Sequence, residues 1–373
     1  MVLAVFCFTV RTVAADNAEH TRATMRQIFE ALGTAFSLSV DGQQFDDPAN
    51  RPRILDALRV LSENAAQLET HGDHLKQSFG FLRHSVARDA RATLAKYEQG
   101  QPMESRFLLH RLTENCFACH SRLPGPREFE LGEQFVENVN IKRLPLKERA
   151  RLEVATRQFR SALETYEAMF RSPSIPAAQI ALMGAFEDYL KLCIRVCADF
   201  TRPIATLEAF RRRPDVPRSL ADYIESWVGS LQELRLQQLE GDELARARAL
   251  IRDGQRRNRF PADRLGLVHF VVASSILHQF EATGPASKSR LSEAYYLLGV
   301  VESYISRSFW ISETEFFLES AIRVDPGSPS AKKSYALLEE YIIVGYRGSS
   351  TLDLPPDVRA QLEELYTLVE GQR

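Results

Sequence analysis

Apolar residues return every three or four positions along most of this chain, and no stretch alternates with the two-residue period of a strand. A chain patterned in this way buries its apolar stripes by packing helix on helix, so the expected fold class is all-α. The first stripe, about Glu19 to Ser37, sets Met25, Ile28, Phe29, Leu32 and Phe36 on one face. The second, about Pro52 to Glu69, sets Leu58, Leu61, Ala65 and Leu68 inward. The third, about His74 to Tyr97, carries Leu75, Phe79, Leu82, Val86 and Leu94, and the fourth, about Met103 to Arg122, carries Leu108, Leu112, Cys116 and Cys119. Turn residues punctuate the series at Asp41-Gly42, Asp46-Asp47-Pro48, His71-Gly72-Asp73 and Gly100-Gln101-Pro102, and Pro124-Gly125-Pro126 ends it. Four amphipathic helices on short turns predict an up-down-up-down four-helix bundle over residues 16–124.

The fourth helix carries Cys116-Phe117-Ala118-Cys119-His120, the C-x-x-C-H spacing that attaches c-type haem. On a helix, positions i, i+3 and i+4 share one face. Two thiols so placed can bond to the porphyrin vinyl groups while the imidazole ligates the iron from below. A closed zinc site needs four ligands, and no second C-x-x-C or H-x-x-x-H completes one. A thioredoxin-like dithiol wants a βαβ setting that this periodicity does not supply. The expected cofactor is therefore one covalent haem c, held by Cys116 and Cys119 with His120 as axial iron ligand.

With that motif near the end of a fourth helix, residues 17–124 resemble the cytochrome c′ family, the class II cytochromes c. The resemblance covers about a third of the chain. It implies a haem packed inside the bundle and a first-helix residue on its distal face, here Met25. In low-spin relatives a first-helix methionine ligates the iron, whereas in high-spin ones the same region leaves an open position for nitric oxide or carbon monoxide. Met25 as ordinary core filler is the third reading. The family commonly has an aromatic-basic pair after the histidine, and this chain has Ser121-Arg122-Leu123-Pro124, which makes Arg122 the nearest candidate for the haem edge. Met103 is a weaker candidate axial ligand, and His20 a distant one.

The remaining histidines and cysteines read as structural. His71 and His74 fall at a turn, His84 and His110 on polar-mixed helices at the surface, and His269 and His278 on opposite sides of one helix. Cys193 and Cys197, four apart on an apolar face, read as buried free thiols or an oxidised pair: export favours oxidation, whereas joining i to i+4 strains a regular helix and favours the free form.

Residues 125–145 read as a linker, and 146–373 as helix after helix in series, an α-solenoid resembling tetratricopeptide repeats. The clearest unit is Ser292 to Pro329. Tyr295, Leu298 and Gly299 stand where such a repeat has its aromatic, leucine and glycine, and Leu318, Ala321 and Pro326 where it has its second helix and closing proline. Glu302 and Thr314 occupy positions that the repeat usually gives to an aromatic and a small residue. A plain helical bundle is the alternative. The apolar stretch Leu265 to Ala273 reads as a core helix, being too short to cross a bilayer.

Residues 1–15 (MVLAVFCFTVRTVAA) read as a removed export signal. The net charge of −2 gives no electrostatic reason to propose nucleic acid as a partner. These readings predict an exported, periplasmic monohaem cytochrome that moves single electrons, with electron transfer favoured over an enzymatic role and the latter left open. Its residues 146–373 would dock a redox partner or a multiprotein complex, which can be a membrane-associated one, with no membrane span in the mature chain and self-association left open. The alternatives are a gas-binding haem protein with an open distal site, or a repeat scaffold with an accessory haem.

Overall fold

The computed structural model describes residues 3–70, 77–125, 132, 141–237, 239–260, 263–284, 287–306, 312–346 and 354–371, with side chains from His20 onward except at 69, 70, 77 and 78. All regular structure among these residues is helical. The chain forms two compact units, one of residues 1–121 and 126–169, the other of 122–125 and 170–373.

The first unit is built on α1 (Leu3–Ser39), α2 (Gly42–Asp46), α3 (Arg51–Thr70), α4 (Gln77–Glu98) and α5 (Pro102–His120). α1 packs along α3, α3 along α4 and α4 along α5, and α5 returns to α1. The loop chemistry between α1 and α3 resolves into two caps. Asp41 accepts the Gln43 N–H at 3.0 Å and Asp47 the Ala49 N–H at 2.9 Å, satisfying donors that a helix start leaves open. Between the caps, α2 drops Phe45 wholly into the core, where Tyr97 donates to its carbonyl at 3.2 Å.

The expected stripes of α1 and α3 form the core, with Ile28, Leu32 and Phe36 against Leu58, Leu61 and Ala65. In α5 the stripe is turned by one residue. Leu109, not Leu108, is fully buried with Leu112, because the interior row runs Ser105, Leu109, Leu112 and ends on Cys116. The α4–α5 interior also holds a polar contact: Asn115 donates to buried Asp89 at 2.7 Å.

Two further helices belong to this unit, α6 (Leu146–Ala155) and the larger part of α7 (Phe159–Arg171). The sequence reading assigns both to the repeat region, but α6 packs on α5, and Ile141, Leu144 and Leu152 join the bundle core. Most of the expected linker, 126–131 and 133–140, and the pair His71 and His74 lie outside the described residues.

The second unit contains α8 (Ala177–Leu182), α9 (Ala185–Lys191), a π-helical turn Leu192–Val196, α10 (Thr201–Arg211), α11 (Arg218–Leu236), α12 (Glu243–Arg257), α13 (Leu267–Thr283), α14 (Lys288–Ile305), α15 (Glu313–Val324), α16 (Pro329–Tyr346) and α17 (Pro356–Glu370). Consecutive helices pair as α12 with α13, α14 with α15 and α16 with α17. Each pair also touches the next, through α13 on α14, α12 on α14, α15 on α16 and α14 on α16. α13 is buried without a break from Leu267 to Ser275, as the stretch Leu265 to Ala273 implies for a core helix, and its first exposed residue is Gln279.

Gly299 is what lets α14 and α15 approach. A Cβ there would stand 2.5 Å from Leu318 Cδ2 and 2.6 Å from its Cγ, and Leu318 is itself fully buried. Glu302, where the repeat pattern wants an aromatic, is buried and ion-paired to Arg195 at 2.7 Å; Arg195 also donates to Ser274 at 2.8 Å. The π-turn that carries Arg195 widens the helix by one residue and delivers this cation to the core. His278 lies on the same carboxylate at 3.8 Å.

Gly299→Ala should lower stability by about 1–2 kcal/mol in urea titration, overpacking winning over a helix-propensity gain of about 1 kcal/mol. Gly229→Ala in α11, where a Cβ meets no atom within 4 Å, should instead gain up to about 1 kcal/mol.

Candidate functional site

α5 begins at Pro102, which needs no N–H partner in the first turn, and ends at His120, with the Ser121 N–H closing on the Phe117 carbonyl at 2.9 Å. Cys116, Cys119 and His120 thus occupy the last turn of an intact helix. All three are half-buried, and Cys116 packs against the bundle core. Cys116 and Cys119 both remain thiols. Burial pushes the Cys116 thiol up to about 12, with the neighbouring Cys119 adding to the effect.

His120 is fixed by a partner from outside the bundle. Its Nδ1 lies 3.2 Å from the Val154 carbonyl oxygen at the end of α6. A carbonyl can only accept, so Nδ1 carries the proton and Nε2 keeps its lone pair. Burial, and then the positive charge of Arg157, lowers the imidazole to about 4, so the ring is neutral at physiological pH. A neutral imidazole whose second nitrogen is held by a backbone carbonyl is the usual state of a metal-ligating histidine.

α6 is held over this end of α5 by charged contacts. Glu114, buried on α5, binds Arg111 at 2.7 Å and Arg151 of α6 at 2.6 Å, and the Arg151 guanidinium lies 5.9 Å above the Phe117 ring. His110, expected at the surface, is instead half-buried. Its ring stacks on Phe36 at 4.6 Å, its Nε2 meets Ser39 Oγ at 3.0 Å and its Nδ1 meets Glu148 at 3.4 Å. The apolar α1 core supplies the face for that stacking, and the hydrogen bond to His110 holds the Glu148 carboxyl below its ordinary range.

The other expected site residues divide. Met25 is half-buried against the same core that receives Cys116. Met103 is 78% exposed at the start of α5, and His20 and His84 are exposed. Arg122, read as the nearest cation for a haem edge, is fully buried in the second unit, where it is ion-paired with Glu313 and lies 5.4 Å over the Phe317 ring. Among the described residues, Arg157 is a cation whose charge acts on His120 and Cys119. Cys193 is buried, Cys197 is only half-buried, and the two are not joined.

The donor set fits a c-type haem: two free cysteines and a neutral imidazole share the last turn of one helix, beside an apolar core. Compared with known proteins, the chain matches no family model, no curated protein and no solved structure.

The neutral state of His120 has a consequence in the haem-free protein. A histidine lowered from 6.5 to about 4 on folding binds its proton more readily in the unfolded chain, so stability is present above pH 6.5 and lost as pH falls toward 4. Buried His269 and His278, each also lowered to about 4, add to the same window. Urea titrations from pH 7 to 4 should show this loss, and His120→Gln should reduce the slope by up to about 1.4 kcal/mol per pH unit, one proton's worth.

Proposed function

We propose that this chain is an exported monohaem c-type cytochrome, with haem c joined to Cys116 and Cys119 and His120 as axial ligand, and that it passes single electrons to a protein partner. The observation that carries the reading is the His120 hydrogen bond to the Val154 carbonyl beside two thiols on the same helical turn. The packing of α1 on α3, α3 on α4, α4 on α5 and α5 on α1 supports it, as does Met25 on the core that Cys116 adjoins.

Bound haem supplies the one-electron iron couple; the protein supplies orientation, burial and electrostatics. In this reading His120 donates its Nε2 lone pair and is kept from rotating by Val154. Cys116 and Cys119 would hold the group covalently through their sulfurs. Leu109, Leu112 and the facing residues of α1 exclude water from the inner side of α5. Met25 is the proposed sixth ligand, which favours the reduced iron and suits electron transfer.

The stacked pairs α12 to α17 are proposed as a tetratricopeptide-like array that docks the redox partner. Gly254 in α12 supports a repeat. It stands as far from Gly299 as the start of α12 stands from the start of α14, and a Cβ on it would come within 2.8 Å of Phe270 in α13, as one on Gly299 would meet Leu318 in α15. Exposed Tyr341, Val344 and Tyr366 on the last pair provide apolar surface for such a contact.

Visible spectra of the haem-loaded protein in both oxidation states, with carbon monoxide added to the reduced form, test the ligand assignment. The expected result is a low-spin spectrum with a far-red methionine-to-iron band, insensitive to the gas and lost in Met25→Ala. A high-spin spectrum that shifts with carbon monoxide would replace electron transfer with gas binding.

A further inference from the structure

Three polar contacts between α5 and α6 come in the same order along both helices. His110 Nδ1 meets Glu148 at 3.4 Å, Glu114 binds Arg151 at 2.6 Å, and His120 Nδ1 meets the Val154 carbonyl oxygen at 3.2 Å. Glu148, Arg151 and Val154 fall three residues apart, so one side of α6 makes all three. The contacts are unequal. Glu148 is 50% exposed, where an ion pair contributes little. Glu114 is buried and is held from two directions: its Oε1 accepts from Arg151 at 2.6 Å, and its Oε2 accepts from Arg111 at 2.9 Å. The Arg151 guanidinium also lies 5.9 Å over the ring of Phe117, which is buried inside the C-x-x-C-H motif. Arg151 therefore grips α5 at two points, the second of them one turn before His120.

The contact at His120 has the least tolerance. An N–H···O bond at 3.2 Å is near the long end of its range and is lost beyond about 3.5 Å. A slide of α6 by a single residue is about 1.5 Å. The Val154 oxygen cannot follow the imidazole by itself, because it also accepts the Arg157 N–H at 2.9 Å in the turn that ends α6. Its position is the position of the helix. Leu152 packs α6 onto the bundle core, but an apolar contact is non-directional and does not choose a register. The buried pair of Arg151 with Glu114 does.

We propose that Arg151 is a positioning residue for the haem centre: paired with Glu114, it fixes α6 on α5 in the register that keeps the Val154 carbonyl on His120 Nδ1. That bond holds the imidazole in the tautomer that leaves Nε2 for the iron. With haem bound it raises the basicity of the ligand, which favours the oxidised iron and lowers the reduction potential. The effect on the iron rests on the haem reading above; the effect on the tautomer does not.

Two measurements on the full chain test this, each with Arg151→Met, Glu114→Met, the two together, and Arg151→Lys, all checked for helical content and a cooperative melt. In the haem-free chain with isotope-labelled histidine, long-range proton–nitrogen correlation at neutral pH reads which ring nitrogen of His120 carries the proton. Wild type should show Nδ1–H alone, and each single methionine variant should raise the Nε2–H form several-fold. The double variant strands no charge and should lose the single tautomer as well, whereas Arg151→Lys, which keeps the charged pair, should stay close to wild type. In the haem-loaded chain, spectroelectrochemical titration should find both single variants shifted toward reduced iron by two- to tenfold at fixed potential, a rise of up to ~59 mV for a one-electron couple. Charge acting on the iron alone gives opposite signs, because removing a carboxylate disfavours the oxidised centre and removing a guanidinium favours it. Shifts of opposite sign, or a His120 that keeps its single tautomer in the methionine variants, would overturn the role of Arg151 and leave the haem reading intact. A wild-type chain that binds no haem covalently would overturn the haem reading and the effect on the iron, with the tautomer measurement still deciding whether Arg151 positions His120.

Discussion

The Val154 carbonyl oxygen organises the candidate site. It is the last-turn acceptor of α6, it anchors the cap that turns the chain into α7, and it holds the proton of His120 on Nδ1. Without that bond the imidazole could place its proton on either nitrogen and turn about its own axis. With it, one nitrogen is committed and the other is left to act as a ligand. α6 reaches this position because Glu114 binds both Arg111 on its own helix and Arg151 on α6, an arrangement that holds a buried carboxylate between two cations. A single charge left there without its partners would be costly, so the contact between the two helices is fixed closely.

The second unit is tied together by the same kind of contact in its interior. Arg195 with Glu302 and Arg122 with Glu313 are buried pairs, and His278 and Phe317 lie beside them. Such pairs contribute little net stability over apolar residues of the same size, yet losing one partner costs about 3–5 kcal/mol because the other is stranded. Their effect is to restrict how the helices can be assembled. α14 must present Glu302 to the π-turn, which sets its rotation as well as its place.

Much of this organisation is legible in the sequence, and the exceptions have physical causes. The stripes of α1 and α3 follow from the helical period, and Gly299 reads correctly as a close-packing glycine because a missing side chain leaves a trace in the pattern. Leu108 and Leu109 are both leucines, so the period alone cannot choose between them; Ser105 and Leu112 decide the row. Glu302 reads as a departure from a repeat because its partner Arg195 is remote in sequence and lies on a π-turn, which no residue pattern announces. The motif Cys116 to His120 is fully legible, since its chemistry is carried by side chains at fixed spacing. Its support is not: a backbone carbonyl has no letter in the sequence, and Arg151 stands 37 residues from its partner Glu114, with no pattern that pairs the two. Arg122 is closer to His120 in sequence, but its charge is neutralised by Glu313 in the second unit's interior.

The central claim is that the last turn of α5 attaches haem. Intact-mass and peptide spectrometry of the chain, expressed with a cytochrome c maturation system, tests it most directly. The account predicts one haem per chain, retained after denaturation, on the peptide containing Cys116 and Cys119, and absent when both are serine. A chain recovered with both cysteines as unmodified thiols under conditions that mature a control cytochrome would contradict it.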